Sequence, residues 1–302
     1  MSNKVIILVA NSNKYPSSIV IPHIKKTWFK ESPYKVFFYQ GESNEVKIKD
    51  SNIFLNASSK YMDMGKKFIE CLEVVDKNFD YEYVFKTTTG SYINFQNFDA
   101  FVDTLSEKNL CCAPIDLYPP INRTHKNQII FGSGRGIFLS KDVVKKIIQK
   151  SSDWDHSLYD DVALGKLLFD NEIKIKSGYR QDFNFFPTLN EFNFNNYHYG
   201  FRLDTSGIPR FLEILSIYSI RSKLKYFNNN KKFQFLIIKI TDLIFKFIFK
   251  IIFFINIKHQ SKNYKLKMNS LLENLYKKLK KNKTIYNILK FVKNKLKIRT
   301  SI

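Results

Sequence analysis

Val5-Ile6-Ile7-Leu8-Val9-Ala10 follows directly on Met1-Ser2-Asn3-Lys4 and points to the kind of sheet this chain builds. Six apolar residues are too few to cross a bilayer, which takes about 20. No basic region precedes a longer apolar core, as an export signal would require. A short unbroken apolar run of this kind reads as a strand covered on both faces. Similar runs recur at Lys35-Val36-Phe37-Phe38-Tyr39 and Tyr83-Val84-Phe85-Lys86, with a weaker one at Asn52-Ile53-Phe54-Leu55. Between them, 17–30 and 60–77 carry helical periodicity; in the second, Tyr61, Met64, Phe68, Leu72 and Val75 share a face. Cys111 to Ile115 and Gly136-Ile137-Phe138-Leu139 are further strands, Ser140 is placed to N-cap a helix over 141–150, and another helix covers 159–171. This alternation predicts an α/β fold, a mostly parallel sheet flanked by helices. Ligands of such sheets bind beyond the carboxyl ends of the strands, so the loops there carry the chemistry.

The 302 residues are 44% hydrophobic and 16% aromatic, which supplies a core and excludes wholesale disorder. The net charge of +22 is unevenly placed. Of 49 Lys and Arg, 22 lie from Arg221 onward against two acids there, Asp242 and Glu273. Residues 1–220 therefore hold 27 basic and 25 acidic groups. The expected organisation is a near-neutral catalytic-sized domain over 1–220 and a basic tail over 221–302. Cys71, Cys111 and Cys112 form no CxxC pair, which argues against a disulfide scaffold or zinc site and fits a reducing compartment. The stretch 181–210, rich in aromatics and Asn without periodicity, suggests long loops closing over a site.

Residues 233–257 carry Lys239, Asp242, Lys246 and Lys250 at spacings of three, four and four, so the charges form one stripe with Phe, Ile and Leu elsewhere. That is the pattern of a helix lying in a membrane interface, not of one spanning it. Leu271, Leu272, Leu275 and Leu279 mark a second amphipathic helix, and Ile285, Ile288, Leu289, Val292 and Leu296 a third, each flanked by lysines. A lysine near an anionic leaflet contributes about 1 kcal/mol. A helical hairpin packed on the body and nucleic-acid binding are the competing readings. The aromatics, however, sit inside wide apolar faces and are not interleaved as stacking platforms. The expected partner is an anionic membrane surface, not nucleic acid.

Four segments fall in the order and spacing of one enzyme group. His23-Ile24-Lys25-Lys26-Thr27-Trp28 resembles the Ile-Arg-x-Thr-Trp signature of glycosyltransferase family 31, the β1,3-galactosyl- and N-acetylglucosaminyltransferases. Tyr61-Met62-Asp63-Met64-Gly65-Lys66-Lys67 is similar to its Tyr-x-Asn-Leu-x-x-Lys helix. Phe131 to Ser140, containing Gly132-Ser133-Gly134-Arg135-Gly136, resembles its Ser-Gly-x-Gly-Tyr-x-x-Ser segment, and Tyr159-Asp160-Asp161-Val162-Ala163-Leu164-Gly165 its Glu-Asp-Val-x-x-Gly motif. The resemblance covers residues 4 to about 180 and not the tail. It implies a GT-A fold, a nucleotide-binding sheet with an acceptor half.

One departure bears on the chemistry. Where that family runs from a strand into Lys-Thr-Asp-Asp-Asp, whose carboxylates hold a divalent ion, this chain reads Lys86-Thr87-Thr88-Thr89-Gly90-Ser91. Hydroxyls cannot replace anionic ligands for a hard cation. The resemblance then implies either chemistry without a required metal or lost activity. Metal-free chemistry needs cations or backbone N–H groups for the leaving nucleoside diphosphate. Candidates are Arg135 between Gly134 and Gly136, Arg180, and His198 with Arg202; Thr88, Thr89, Gly90 and Ser91 would contact ribose or phosphate oxygens. His198 reads equally well as a hydrogen-bonded member of an aromatic cluster. Lys67 reads as a solvated helix lysine and Trp28 as core.

An inverting transferase needs a carboxylate base for the acceptor hydroxyl. By resemblance Asp161 is the base and Asp160 orients; adjacent carboxylates repel, so one pKa should rise. The alternative is that Asp160 N-caps the helix. The reading that results is an inverting glycosyltransferase moving a hexose or N-acetylhexosamine from a UDP-sugar to a lipid-linked or surface glycan, as in capsule or lipooligosaccharide synthesis. It would sit peripherally on the cytoplasmic face of the inner membrane. The competing reading is a catalytically silent GT-A-like scaffold or glycan-binding protein in a polysaccharide assembly complex.

Overall fold

The structure is a computed structural model and describes residues 2–12, 14–15, 17–58, 60–118, 128–183, 192–201, 213–229 and 242. In chain order the strands are β1 (Ser2–Ala10), β2 (Tyr34–Gln40), β3 (Lys47–Lys49), β4 (Asn52–Phe54), β5 (Tyr83–Thr88), β6 (Ser91–Ile93), β7 (Cys111–Ala113), β8 (Ile115–Tyr118), β9 (Ile129–Gly132), β10 (Ile137–Ser140), β11 (Ile175–Ser177), β12 (Gln181–Phe183) and β13 (His198–Phe201). The α-helices are α1 (Ser17–Lys25), α2 (Trp28–Glu31), α3 (Met64–Asn78), α4 (Phe95–Val102), α5 (Lys141–Gln149), α6 (Asp160–Asp170) and α7 (Glu213–Asn229).

The main sheet has the order β11-β7-β10-β5-β1-β2-β4-β3. Strands β1, β2, β4, β5, β7 and β11 run one way, with β10 and β3 opposed. The fold class is thus α/β with a large, mostly parallel sheet flanked by helices, as the apolar runs predicted. The pleat explains why β1 is apolar without alternation. Ile6 and Leu8 enter one buried cluster with Phe68 and Leu72 of α3 and Leu164 and Leu168 of α6. Val5, Ile7 and Val9 enter the opposite cluster with Val20 and Ile24 of α1, Phe98 of α4 and Ile217 of α7. Each such side chain contributes about 1.5–3 kcal/mol by leaving water, so both faces must be covered.

Several expectations need correction. The helix expected over 17–30 is two helices, because the Thr27 hydroxyl donates to the His23 and Ile24 carbonyls (2.8 and 3.2 Å) and takes the place of the backbone ladder. Ser140 stands at the N-cap position of α5 but caps nothing; its Oγ donates to Asp142 (2.5 Å) and accepts from the Leu110 N–H (2.9 Å). The stretch expected as loops over 181–210 contains β12 and β13, which join β6 in a second sheet, β12-β13-β6. Buried Phe183, Phe192, Tyr197, Tyr199 and Phe201 hold that sheet against the cluster containing Phe85 and Phe98.

The boundary expected between 220 and 221 falls inside α7. Ile217 and Ile220 are buried in the body, and Arg221 continues the contact with an ion pair to Glu31 (2.6 Å). Asp242 accepts from Lys223 (2.8 Å). The other residues of the three amphipathic tail segments lie outside the described residues. Among the described residues no helix is long and apolar enough to cross a membrane.

Candidate functional site

The site lies at the carboxyl ends of β1 and β5, where α6 begins. Strand β5 sends Phe85 to one face of the sheet and Lys86 to the other, beneath α3 and α6. The Lys86 side chain is 2% exposed, and its ammonium donates to Asp160 Oδ2 at 2.6 Å while lying 4.7 Å from the centre of the Phe68 ring. Strand β10 is antiparallel to β5, with Ile137 opposite Lys86, so the turn before β10 arrives at the same end of the sheet. The Gly136 N–H donates to the Lys86 carbonyl (3.0 Å), and the Gly134 N–H to Asp161 Oδ2 (3.3 Å).

Asp160 and Asp161 form the first turn of α6, whose N-cap is Tyr159, so Asp160 is not the cap. Their environments pull them apart. Burial pushes both carboxyls up, but at Asp160 the charge and hydrogen bond of Lys86 outweigh it and hold the group below the ordinary carboxylate value. At Asp161 burial wins over the more distant Lys86, and the neighbouring Asp160 charge adds to the rise. One pKa does rise, as expected of the pair, though burial and not repulsion is the larger cause.

A third charge was misread from sequence. Lys67 on α3 is buried, not solvated: its ammonium donates to the Asn11 carbonyl just past β1 (3.0 Å) and lies 5.6 Å from the centre of the Tyr39 ring. Burial lowers its pKa to about 8, with Asp160 pulling the other way. The signal was present, since Lys67 lies three residues after Met64 and four before Cys71, on the apolar stripe of α3. Lys86 was likewise visible as a cation ending an apolar strand.

The donor-side candidates divide. Thr88 is half-buried and its Oγ1 accepts from the Gly90 N–H (3.2 Å). Thr89 is buried, and the Gly90 carbonyl accepts from the Phe201 N–H (2.9 Å), which ties this turn to the second sheet. Ser91 points into the interior and accepts from Thr87 (2.8 Å), so it is not a donor ligand here. His198 is also corrected: it is fully buried, edge-on to Phe85, with Nε2 3.4 Å from Thr87 Oγ1. Burial foremost, and then Arg180 and Arg135, hold it well below the ordinary histidine value, so it is neutral and no cationic phosphate clamp. Gly134, whose N–H meets Asp161, and Arg135 are half-buried, while Gly136 is buried. Arg180 is a clamp on their turn, donating to Ser133 Oγ (3.1 Å) and to the Arg135 carbonyl (2.6 Å). Arg202 lies outside the described residues.

The sequence resemblance would bring a divalent ion to this place, and the residues here do not fit one. Thr88 already accepts a hydrogen bond, Thr89 is buried, and the adjacent cation Lys86 would repel a metal. Among the described residues no group of three or more His, Cys, Asp or Glu is placed to hold a metal ion.

No family model matches the chain, and no curated protein matches it in sequence. Solved structures that overlay on it include a glycosyltransferase involved in the glycosylation of the major capsid of PBCV-1 (TM-score 0.43, 12% identity, 71% of this chain and 98% of that one). The 4-diphosphocytidyl-2C-methyl-D-erythritol synthase of Anaerococcus prevotii DSM 20548 gives a TM-score of 0.40 at 12% identity, over 75% and 97% of the two chains. The bifunctional IspDF of Campylobacter jejuni gives 0.34 at 16% identity over 58% of this chain, which spans about half (48%) of that protein. Overlays this loose speak to neither ligand nor reaction.

Two outcomes follow from the charges. Asp160→Asn leaves Lys86 buried without its counter-charge and should cost about 3 kcal/mol in urea denaturation at pH 7. Asp161→Asn removes a carboxylate that burial already penalises and should be neutral or slightly stabilising; equal losses in the two variants would refute the assignment. For Lys67 the unfolded chain keeps its proton up to the ordinary value of 10.5, whereas the folded chain releases it near 8. Unfolding therefore takes up a proton in that window, and stability rises with pH there. Relative to Lys67→Met, the protein should gain about 1 kcal/mol per pH unit between pH 8 and 9.5, read from denaturation midpoints.

Proposed function

We propose that the protein is a GT-A-like, nucleotide-sugar-using transferase, an inverting glycosyltransferase that requires no divalent metal. The observation that carries this reading is Asp161: a half-buried carboxylate of raised pKa at the mouth of the strands, beside a carboxylate neutralised by Lys86. Such a group is poised as a general base. In the transfer step the acceptor hydroxyl oxygen attacks the anomeric carbon and its proton passes to Asp161. The bond from that carbon to the diphosphate oxygen breaks, and the nucleoside diphosphate leaves with the electron pair. Asp160 keeps Lys86 in place, and the Gly134 N–H fixes the Asp161 carboxylate. Lys67, Lys86 and Arg135 supply positive charge for the departing diphosphate. The order of the four family-31-like segments supports a UDP-linked hexose or N-acetylhexosamine as donor.

The second reading, a silent scaffold or glycan-binding protein, is favoured by one observation: Ser91, Thr89 and His198 are all turned inward. Donor turnover separates the two. Nucleotide-sugars should bind and be hydrolysed or transferred in EDTA, and Asp161→Asn should lower turnover at least about a hundredfold while the fold survives. Full activity in Asp161→Asn discards the base; no binding of any nucleotide-sugar, with EDTA or with Mn²⁺, moves the balance to the scaffold.

The acceptor class follows from the tail. Amphipathic basic segments over 233–297 favour an anionic membrane surface, where a lipid-linked glycan is presented, as in capsule or lipooligosaccharide synthesis on the cytoplasmic face of an inner membrane. The full chain should co-sediment with vesicles containing anionic lipid, losing most binding between 0.1 and 0.5 M salt (round values on the order of the screening range). Binding to neutral vesicles alone, or none, overturns this.

A further inference from the structure

Among the described residues Lys67 is a buried cation that no carboxylate pairs with. Its ammonium carries three donors, and the acceptor it meets is the Asn11 carbonyl at 3.0 Å. The titratable groups around it come from four elements and the segment after β2. Cys71 lies one turn along α3, and Tyr39 of β2 places its ring centre 5.6 Å from the ammonium. Burial pushes both of these groups well up, so both are neutral. Glu42, past the end of β2, is engaged with Lys14 at 3.5 Å. Lys86 of β5 and Asp160 of α6 are an ion pair closed on each other at 2.6 Å, and Asp161 is turned to the Gly134 N–H. Lys67 is left with the attraction of a carboxylate already committed elsewhere, set against the repulsion of Lys86. Its place in the fold is as telling as its partners. Asn11 is the first residue past β1, and the sheet order puts β2 on one side of β1 and β5 on the other. The chain thus leaves β1 in one direction and returns on the opposite side, and ligands of open α/β sheets bind at such a switch point.

We propose that Lys67 is the counter-cation of a phosphate-bearing ligand at this end of the sheet and that it takes up a proton from solvent when the ligand arrives. The inference rests on the nucleotide-sugar reading above and adds a coupling that reading does not contain: occupancy sets the charge of Lys67, and pH sets the affinity. Without an anion beside it, burial makes the charged form costly, and the group releases its proton at about 8 instead of 10.5. A diphosphate brings more than one negative charge to the same place, and an opposite charge nearby restores the charged form. The proton goes to Lys67 Nζ, and no bond of the ligand changes. Above that pKa the free protein holds Lys67 neutral and the complex holds it charged, so binding consumes a proton and weakens as pH rises. Well below it both forms are charged, and Lys67 no longer makes affinity depend on pH. Apparent affinity falls with the fraction of free protein whose Lys67 is already protonated.

The test is calorimetric titration of UDP and, separately, of inorganic sulfate into the full-length protein in EDTA. Each is run at about pH 7 and about pH 8.5, in two buffers of different ionisation heat, so that protons taken up are counted. Neither probe exchanges a proton of its own there: sulfate has none to give, and a terminal phosphate loses its second proton at about pH 6. At the higher pH each anion should bind with uptake of about half to three-quarters of a proton and about fourfold more weakly than at the lower, where uptake is close to zero. Lys67→Met should abolish the uptake. Lys67→Arg, whose guanidinium stays charged throughout, should bind alike at both pH values. If neither variant folds, the native protein decides: uptake confined to the higher pH supports the coupling, and no uptake there overturns it. UDP bound without proton uptake, or with uptake unchanged in Lys67→Met, overturns the coupling and leaves the transferase reading standing. Sulfate bound with a proton while no nucleotide or nucleotide-sugar binds does the reverse. No binding of either anion overturns the proposal.

Discussion

The geometry of the site depends on where one buried cation is tied. Lys86 makes three attachments at once. Its backbone pairs with Leu8 of β1 on one side and Ile137 of β10 on the other, its carbonyl accepts from Gly136, and its ammonium closes on Asp160 at the start of α6. A buried ion pair adds little net stability, because desolvating both charges offsets most of their attraction. Its consequence is positional. With Asp160 committed to Lys86, Asp161 is left against the Gly134 N–H without a cation of its own, and burial can raise its pKa. The asymmetry of two adjacent aspartates follows from a lysine on a different element.

Much of the fold could be read directly from hydrophobic pattern. β1, β2 and β5 are apolar on both faces because helices cover both faces, and that shows in sequence as unbroken runs. What escaped were short elements whose burial is decided at long range. β6, β12 and β13 are three or four residues each, and they are strands because Phe183, Tyr199 and Phe201 pack on the far side of the main sheet. Nothing local in 181–210 has a period to detect. The break at Thr27 escaped for a different reason: a hydroxyl that competes with the backbone leaves the apolar spacing of the helix unaltered.

The site was legible where its chemistry is sequential and hidden where it is spatial. Asp160 and Asp161 announce themselves by adjacency before an apolar helix, and Gly134-Arg135-Gly136 by its glycines. Lys67 was misread because a lysine on a helix is usually solvated, although its place on the stripe of Met64 and Cys71 argued otherwise. Ser91 and His198 fail as ligands for one shared reason. Thr87 lies between them, its Oγ1 2.8 Å from the Ser91 hydroxyl and 3.4 Å from His198 Nε2. Polar groups that follow a strand into a second sheet are drawn inward as that sheet closes.

The neutrality of His198 is part of how the turn is held. Gly136 adopts φ +130°, where a side chain is strained, and a Cβ there would meet His198 Nδ1 at 2.6 Å. The imidazole thus lies directly against the glycine, while Arg180 holds the opposite side of the same turn through Ser133 and the Arg135 carbonyl. A protonated ring would add a third positive charge next to two arginines at a fully buried position, which favours the neutral form. An uncharged, flat side chain fills the space a Cβ cannot. The two sheets therefore divide the work. The large sheet positions the carboxylates, and the small one fixes the turn that brings the Gly134 N–H up to Asp161.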